Sequence, residues 1–337
     1  MKKIIIFRAD GNSSVGLGHL YRLFSLVEIY KESLDFIFVT QETSTHTVIP
    51  KTYSKVFIPK EISIKQEPQW LSENFLPNKH IIVADGYQFN SAYQKEIKEK
   101  GYDLVYIDDL TKEHMFADIV INHSPYVKEE HYKREPYTKL ALGTQYALLR
   151  PLFLDAAKKK RVIKNLNNVF VCFGGADPYN LTLKAVEALI AIEQFKEIHV
   201  VLGGAYKHDE IYFLKEQNSQ KVKVYKNQSE ESLINIMKLC NFAIAPASTI
   251  LYEICCVKTP VLSGFYVDNQ ELIYKGFLNE NIIYDGGDFS NYESLDFYSI
   301  IKNKVLGSDY NTYLSQQEVL FDNKIGVRHI NLIKSIC

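Results

Sequence analysis

The side chains best suited to chemistry lie near the start of the chain, in Arg8-Ala9-Asp10-Gly11-Asn12-Ser13-Ser14-Val15-Gly16-Leu17-Gly18-His19-Leu20-Tyr21-Arg22. An imidazole is the group most suited to moving a proton near neutral pH, and His19 sits among glycines, an acid and a cation. It falls where a helix is expected to open, beside unpaired backbone N–H groups and the positive end of the helix dipole. Gly16 and Gly18 let a ligand approach the backbone closely, and a helix N-terminus attracts an anion, so the loop reads as a phosphate site. The spacing fits neither G-x-G-x-x-G nor G-x-x-x-x-G-K-[ST], which argues against a dinucleotide fingerprint and a P-loop. A tight turn with a capping histidine gives the same pattern, and the loop alone leaves both readings open.

Other candidates stand at the ends of apolar runs. His80-Ile81-Ile82-Val83-Ala84 leads into Asp85-Gly86-Tyr87, Leu104-Val105-Tyr106-Ile107 into Asp108-Asp109, and Asp118-Ile119-Val120-Ile121 into Asn122-His123. Binding residues of open α/β sheets gather at such strand ends, so the three would line a crevice opposite the His19 loop, with Tyr87 pointing its phenol into it. Each acid could equally be a helix cap or turn residue. In the second half Phe170-Val171-Cys172-Phe173 runs into Gly174-Gly175, and Phe242-Ala243-Ile244-Ala245 into Pro246-Ala247-Ser248-Thr249. Hydroxyl residues opening a helix offer N–H and O–H donors to a diphosphate, and Glu253, one turn further on, would reach the ribose of the same nucleotide. Plain N-capping is the alternative for Ser248 and Thr249. Asn269 and Gln270 open another helix, where amides could read sugar hydroxyl or N-acetyl groups or merely cap it.

The elements that must hold these groups alternate. Strands are expected at 3–7, 35–39, near 56–58 at an edge, and in the runs just named, with a helix from Leu20 to Tyr30. After the charged run Lys158-Lys159-Lys160-Arg161, the strand, double glycine and polar helix start of residues 168–182 repeat the layout of the N-terminus. Further strands fall at 198–202 and 222–225, and Ser229-Glu230-Glu231 caps a helix through Leu239. Two helices close the chain, near 310–321 and 327–336, the last of which could cross back to the first domain.

At 337 residues the chain is long enough for two domains with separate cores, and 46% hydrophobic with 23% charged residues suits a soluble globular protein. A net charge of −1 gives no broad field for nucleic acid or an anionic membrane. No stretch approaches the length of a membrane span, and residues after Lys2 and Lys3 are too few in apolar character for a signal peptide. Five cysteines without C-x-x-C spacing point to reduced thiols in the cytoplasm, and no metal site or cofactor motif is visible.

These motifs resemble a known family. G-x-G-H-x-x-R (Gly16, Gly18, His19, Arg22) followed in the second half by S-T-x-x-x-E (Ser248, Thr249, Glu253) looks like the GT-B superfamily and its MurG-like branch. Arg8-x-Asp10, Asp85-x-Tyr87, Asp108-Asp109, Tyr146-Ala147-Leu148-Leu149-Arg150, Phe173-Gly174-Gly175-x-Asp177-Pro178-x-Asn180-x-Thr182 and Asn269-Gln270 resemble PseG, also called SpsG, over nearly the whole chain. The resemblance implies an α/β GT-B fold, two Rossmann-like domains facing a central cleft: residues 1–155 with the catalytic loop, 165–315 binding UDP, and 316–337 as C-terminal helices. It implies a metal-independent hydrolase that releases UDP from a UDP-linked 2,4-diacetamido-2,4,6-trideoxyhexose, by attack of water at the anomeric carbon with inversion, in pseudaminic acid biosynthesis. His19 then carries over as the base, and Tyr87 and Asn269 as contacts near the reacting sugar. Ser248, Thr249 and Glu253 match the UDP-binding positions, with Gly18, Gly174, Gly175 and Gln270 beside the substrate. Asp10 and Arg22 match motif positions expected to orient His19 and support its loop. Two departures stand out: Asp85-Gly86-Tyr87 where relatives usually have D-H-Y, and Ala247-Ser248-Thr249 where G-S-T is common. A glycosyltransferase sharing the donor site and a non-catalytic nucleotide-sugar binding module remain the competing readings.

Overall fold

The computed structural model describes residues 3–12 and 16–337; Ser13, Ser14 and Val15 of the N-terminal loop lie outside the described residues. The chain divides into two compact units, Met1–Pro151 with Lys324–Cys337, and Leu152–Asn323.

The first unit runs β1 (Ile4–Ala9), α1 (Gly18–Tyr30), β2 (Phe36–Gln41), β3 (Lys55–Ile58), α2 (Glu67–Asn74), β4 (His80–Asp85), α3 (Ser91–Glu99), β5 (Asp103–Ile107), β6 (His114–Met115), β7 (Ile119–Asn122), β8 (Lys133–Arg134) and β9 (Lys139–Leu142). Seven strands form one sheet in the order β3-β2-β1-β4-β5-β7-β9, every pair parallel, while β6 and β8 make a separate two-stranded ladder. Its apolar runs are nearly continuous because both faces are covered. Alternate residues of β1 and β4 divide between two cores: Ile5, Phe7, Ile81 and Val83 pack with Leu20, Leu23 and Val27 of α1, whereas Ile6, Ile82 and Ala84 pack with Leu71, Phe89 and Ile97.

One buried charge cluster locks the start of this sheet to its helices. Arg8 is fully buried and sends Nε and Nη2 to the two carboxylate oxygens of Glu67 at 2.7 and 2.8 Å, with its guanidinium 5.1 Å over the Phe89 ring. Tyr93 on α3 donates its hydroxyl to the same Glu67 at 2.7 Å. A bidentate pair of this kind positions strand against helix, and removing one partner would strand the other charge away from water.

The last helix, α12 (Ile325–Lys334), belongs to the first unit, where it packs on α1 and on the 144–146 turn. His329 is fully buried there and donates Nε2–H to the Ala147 carbonyl at 3.3 Å, while His123 accepts the Leu148 N–H on Nδ1 at 3.2 Å. Burial holds both rings neutral: His123 falls to about 3, helped by the nearby Arg22 charge, and His329 to about 4.

The second unit contains α4 (Pro151–Ala157, beginning at the boundary), β10 (Asn168–Val171), α5 (Leu181–Ile190), β11 (Glu197–Leu202), α6 (Glu210–Gln217), β12 (Val222–Lys226), α7 (Glu230–Leu239), β13 (Phe242–Pro246), α8 (Thr249–Cys256), β14 (Val261–Phe265), α9 (Asp268–Asn279), β15 (Tyr284–Asp288), α10 (Ser294–Ile300) and α11 (Asn311–Leu320). Its six strands are all parallel in the order β12-β11-β10-β13-β14-β15. Cys172, Cys240, Cys255 and Cys256 are buried thiols. No helix among the described residues is long and apolar enough to cross a membrane.

Two expectations follow from these contacts. A Cβ built on Gly203 would lie 2.5 Å from the Gly174 carbonyl oxygen and 2.5 Å from Gly175 Cα. Backbone must therefore move, and Gly203→Ala is expected to lower the urea midpoint of unfolding by an amount equivalent to about 1–3 kcal/mol. The histidines set a pH dependence. Their folded pKa values lie below the ordinary 6.5, so between about pH 6.5 and 4 the unfolded chain binds protons that the native chain refuses. Stability is present above that window and lost on descending through it, by about 1 kcal/mol per pH unit for each ring. Urea titrations from pH 7.5 to 4.5 should show this slope, and replacing both rings with glutamine should flatten it.

Candidate active site

The first unit brings its chemistry together where β4 ends and α1 begins. Because β1 and β4 are neighbours with Ala9 opposite Asp85, the carboxylate that closes β4 lies beside the loop that leaves β1. His19 and Arg22, three residues apart, emerge on one face of α1. Among the described residues no side chain caps the α1 N-terminus, and its first turn holds no acid.

Asp85 is fully buried and serves both residues. Its Oδ1 lies 2.7 Å from His19 Nδ1 and accepts from Arg22 Nη2 at 2.7 Å, and its Oδ2 accepts from Arg22 Nε at 2.9 Å. Arg22 extends its remaining arm, Nη1, to Asp109 Oδ2 at 2.8 Å. Burial alone would lower the guanidinium pKa, but Asp85 and Asp109 hold it above its usual value. Tyr87 is 45% exposed, donates its hydroxyl to Asp109 Oδ2 at 3.3 Å, and sets its ring edge-on to the imidazole at 4.8 Å and 88°. His19 is buried to 6% exposure, and its Nε2 has no hydrogen-bond partner among the described residues. The arrangement can orient an imidazole, stabilise positive charge on it, and leave its outer nitrogen for a substrate or water.

Asp10 occupies a different place from the one expected of it. Its Oδ1 lies 2.6 Å from Arg8 Nη1 and accepts from the Gln41 N–H at 2.7 Å and the Thr40 hydroxyl at 2.9 Å, and its Oδ2 accepts from Gln88 Nε2 at 3.2 Å. Burial raises its pKa, but Arg8 and these donors outweigh that and hold the carboxyl below the usual range. Orientation of His19 therefore falls to Asp85 and Arg22, while Asp10 ties the end of β1 to β2. The other strand-end residues also turn inward. Asp108 accepts from the Leu110 and Thr111 N–H groups and from the Tyr132 hydroxyl, Asn122 donates to that same hydroxyl, and His123 holds the Leu148 amide. Gly18 has open space where a side chain would project.

The second unit places its candidates at the carboxyl ends of β10, β13 and β14. Gly174 has φ +84°, a conformation that favours glycine, and Gly175 has open space above its Cα. The following helix, α5, has its first amides filled from within: Asp177 accepts the Leu181 N–H at 2.9 Å and the Thr182 N–H at 2.8 Å. These two amides of α5 are thus matched within the chain. Ser248 is the N-cap of α8, yet its side chain makes no capping bond, and Thr249 is exposed. Glu253 is buried on the same helix. Asn269 is exposed at the start of α9, whereas Gln270 is buried and accepts the Tyr266 N–H at 3.1 Å. Gln88 and Gly203 were not singled out in the sequence, whereas Asp109 and Asp177 stood in its motifs without a role assigned to them. Among the described residues, no group of three His, Cys, Asp or Glu side chains is placed to hold a metal ion.

No family model matches the chain. Among curated proteins it is 28% identical over 292 residues to an uncharacterized protein of Methanocaldococcus jannaschii, an alignment covering 83% of this chain but only 59% of that one, so the chain spans less than two thirds of that relative. It is 24% identical to the spore coat polysaccharide biosynthesis protein SpsG of Bacillus subtilis, covering 83% of this chain and 82% of SpsG. It is 27% identical to the UDP-2,4-diacetamido-2,4,6-trideoxy-beta-L-altropyranose hydrolase of Campylobacter jejuni, covering 79% of this chain and 93% of that enzyme. Among solved structures, MurG of Acinetobacter baumannii superposes with a TM-score of 0.65 over 100% of both chains at 9% identity. MnaA of S. aureus, solved with UDP, superposes with a TM-score of 0.64 over 98% of this chain and 96% of that one at 14% identity. The two parallel-sheet units are thus the two Rossmann-like domains of the GT-B fold, and by sequence the chain is a relative of SpsG and of the Campylobacter hydrolase.

Proposed function

We propose that the protein hydrolyses a UDP-linked 2,4-diacetamido-2,4,6-trideoxyhexose at the anomeric C–O bond with inversion, releasing UDP and the free sugar for pseudaminic acid synthesis in the cytoplasm. The observation that carries this reading is the environment of His19: Nδ1 is engaged by a buried carboxylate and Nε2 has no partner among the described residues. The name of the Campylobacter relative supports the substrate class and the hydrolytic outcome.

In this reading the first unit supplies the base and the second the nucleotide grip. His19 Nε2 takes a proton from water as the water oxygen bonds to the anomeric carbon. The bond from that carbon to the diphosphate oxygen breaks, and its electron pair leaves with UDP. Asp85 steadies the imidazolium that forms. An inverting displacement needs room for that water between base and sugar, which the open space at Gly18 favours. The hydroxyl and N–H groups of Ser248 and Thr249 meet the charge that builds on the departing diphosphate, and Glu253 binds the ribose. Tyr87, Asn269 and Gln270 contact the sugar, and Gly174 and Gly175 line the nucleotide. Asp10 and Arg22 act indirectly, by fixing the loop and the histidine. Transfer of the sugar to an acceptor other than water is the second reading, favoured by the likeness in fold to MurG.

Incubation with the UDP-linked diacetamido sugar in ¹⁸O-water distinguishes the two. Hydrolysis as proposed releases UDP without an added acceptor and puts the label on the sugar; label on the phosphate, or release that requires an acceptor, rejects it. His19→Ala is expected to lower kcat by about 10²–10⁴-fold while UDP affinity by calorimetry changes little. Thr249→Val is expected to weaken UDP by about 10-fold through loss of a donor to a charged oxygen, with the fold intact by circular dichroism.

A further inference from the structure

His19 faces a choice that one proton settles. Its Nδ1 lies 2.7 Å from Asp85 Oδ1 and 2.8 Å from Arg22 Nη2. A carboxylate only accepts and a guanidinium only donates, so Nδ1 can be matched to one of them at a time. With the proton on Nδ1, the ring donates to Asp85 and Nε2 carries the lone pair. With the proton on Nε2, Nδ1 accepts from Arg22, and the outward nitrogen cannot take a proton from water.

What tips this balance is how fully Arg22 is satisfied elsewhere. Its Nε and one N–H of Nη2 are on Asp85, and Nη1 is on Asp109 at 2.8 Å. Asp109 also receives the hydroxyl of Tyr87, whose ring stands edge-on to the imidazole. The remaining ionisable neighbours do not do this work. Tyr106 sends its hydroxyl to the Gly86 carbonyl at 3.4 Å, Asp108 is taken up in its own turn and by Tyr132, and His123 is neutral with Nδ1 on the Leu148 amide. Asp85 and Asp109 alone balance the Arg22 charge by direct contact among the described residues.

We propose that Asp109 is a positioning residue which, by holding Nη1 of Arg22 and the hydroxyl of Tyr87, keeps His19 in the tautomer whose Nε2 accepts a proton. With Asp109 ionised, the guanidinium charge is shared between two carboxylates, and Asp85 keeps an oxygen for the Nδ1–H of the ring. Without that charge, Arg22 leans wholly on Asp85, and the second N–H of Nη2 is best matched by Nδ1. The catalytic consequence rests on His19 acting as the base; the tautomer does not.

Nitrogen NMR of protein labelled at histidine, with the His19 signals assigned by their loss in His19→Gln, reads the tautomer directly. Wild type is expected to carry its proton on Nδ1 and D109N to carry it mainly on Nε2, while Asp109→Glu returns the wild-type pattern. In turnover of the UDP-sugar, D109N is expected to lose kcat by about 10- to 1000-fold with KM changed by less than about 2-fold. An unchanged tautomer in folded D109N overturns the proposal, as does a loss confined to KM. Should D109N fail to fold, Arg22→Lys, which cannot bridge both carboxylates, is expected to give the D109N pattern; the wild-type pattern there overturns the proposal equally. If wild-type protein turns over no UDP-sugar, the reaction assignment fails while the NMR comparison still decides the role of Asp109.

Discussion

A carboxylate withdrawn from water has to be matched by donors or by opposite charge, and Asp85 is matched by two residues of one helix. That requirement sets the geometry around it. The strand β4 must end at residue 85, the chain must turn at Gly86, and the first turn of α1 must present His19 and Arg22 side by side. Arg22 in turn recruits Asp109 from the end of β5, and Asp109 holds Tyr87. Three strand and helix ends are joined through one guanidinium, so the imidazole orientation follows from the sheet order.

The alternation of strands and helices, the edge position of β3, the helix capped by Ser229 and the double-domain architecture were legible in the sequence, because a parallel sheet buried on both faces leaves unbroken apolar runs. The partner of His19 was less legible. Asp10 is near it in the chain, but Asp85 is near it in space, since β4 and not β2 flanks β1 on that side. Strand order is a global property that local spacing does not carry. In the second unit, β15 has the sequence Tyr-Asp-Gly-Gly-Asp, poor in the residues that favour strands. Its glycine is demanded by packing: a Cβ on Gly286 would lie 2.6 Å from the Phe289 ring.

The two units solve the same topological problem with different endings. Both place short polar segments at the carboxyl ends of parallel strands, where open α/β sheets hold ligands. In the first unit those segments are drawn into a charge network of Arg8, Glu67 and Asp10 behind the loop and Arg22, Asp85 and Asp109 beside it. In the second they are glycines and small hydroxyl residues, Gly174, Gly175, Ser248 and Thr249.

Asp177 gives that second surface an unequal character. Its carboxylate already sits on the Leu181 and Thr182 amides, as an anion from outside would. One helix mouth is therefore occupied by the protein's own side chain. Ser248, at the mouth of α8, makes no such bond, so these two helix mouths differ in whether a side chain of the chain itself already fills them.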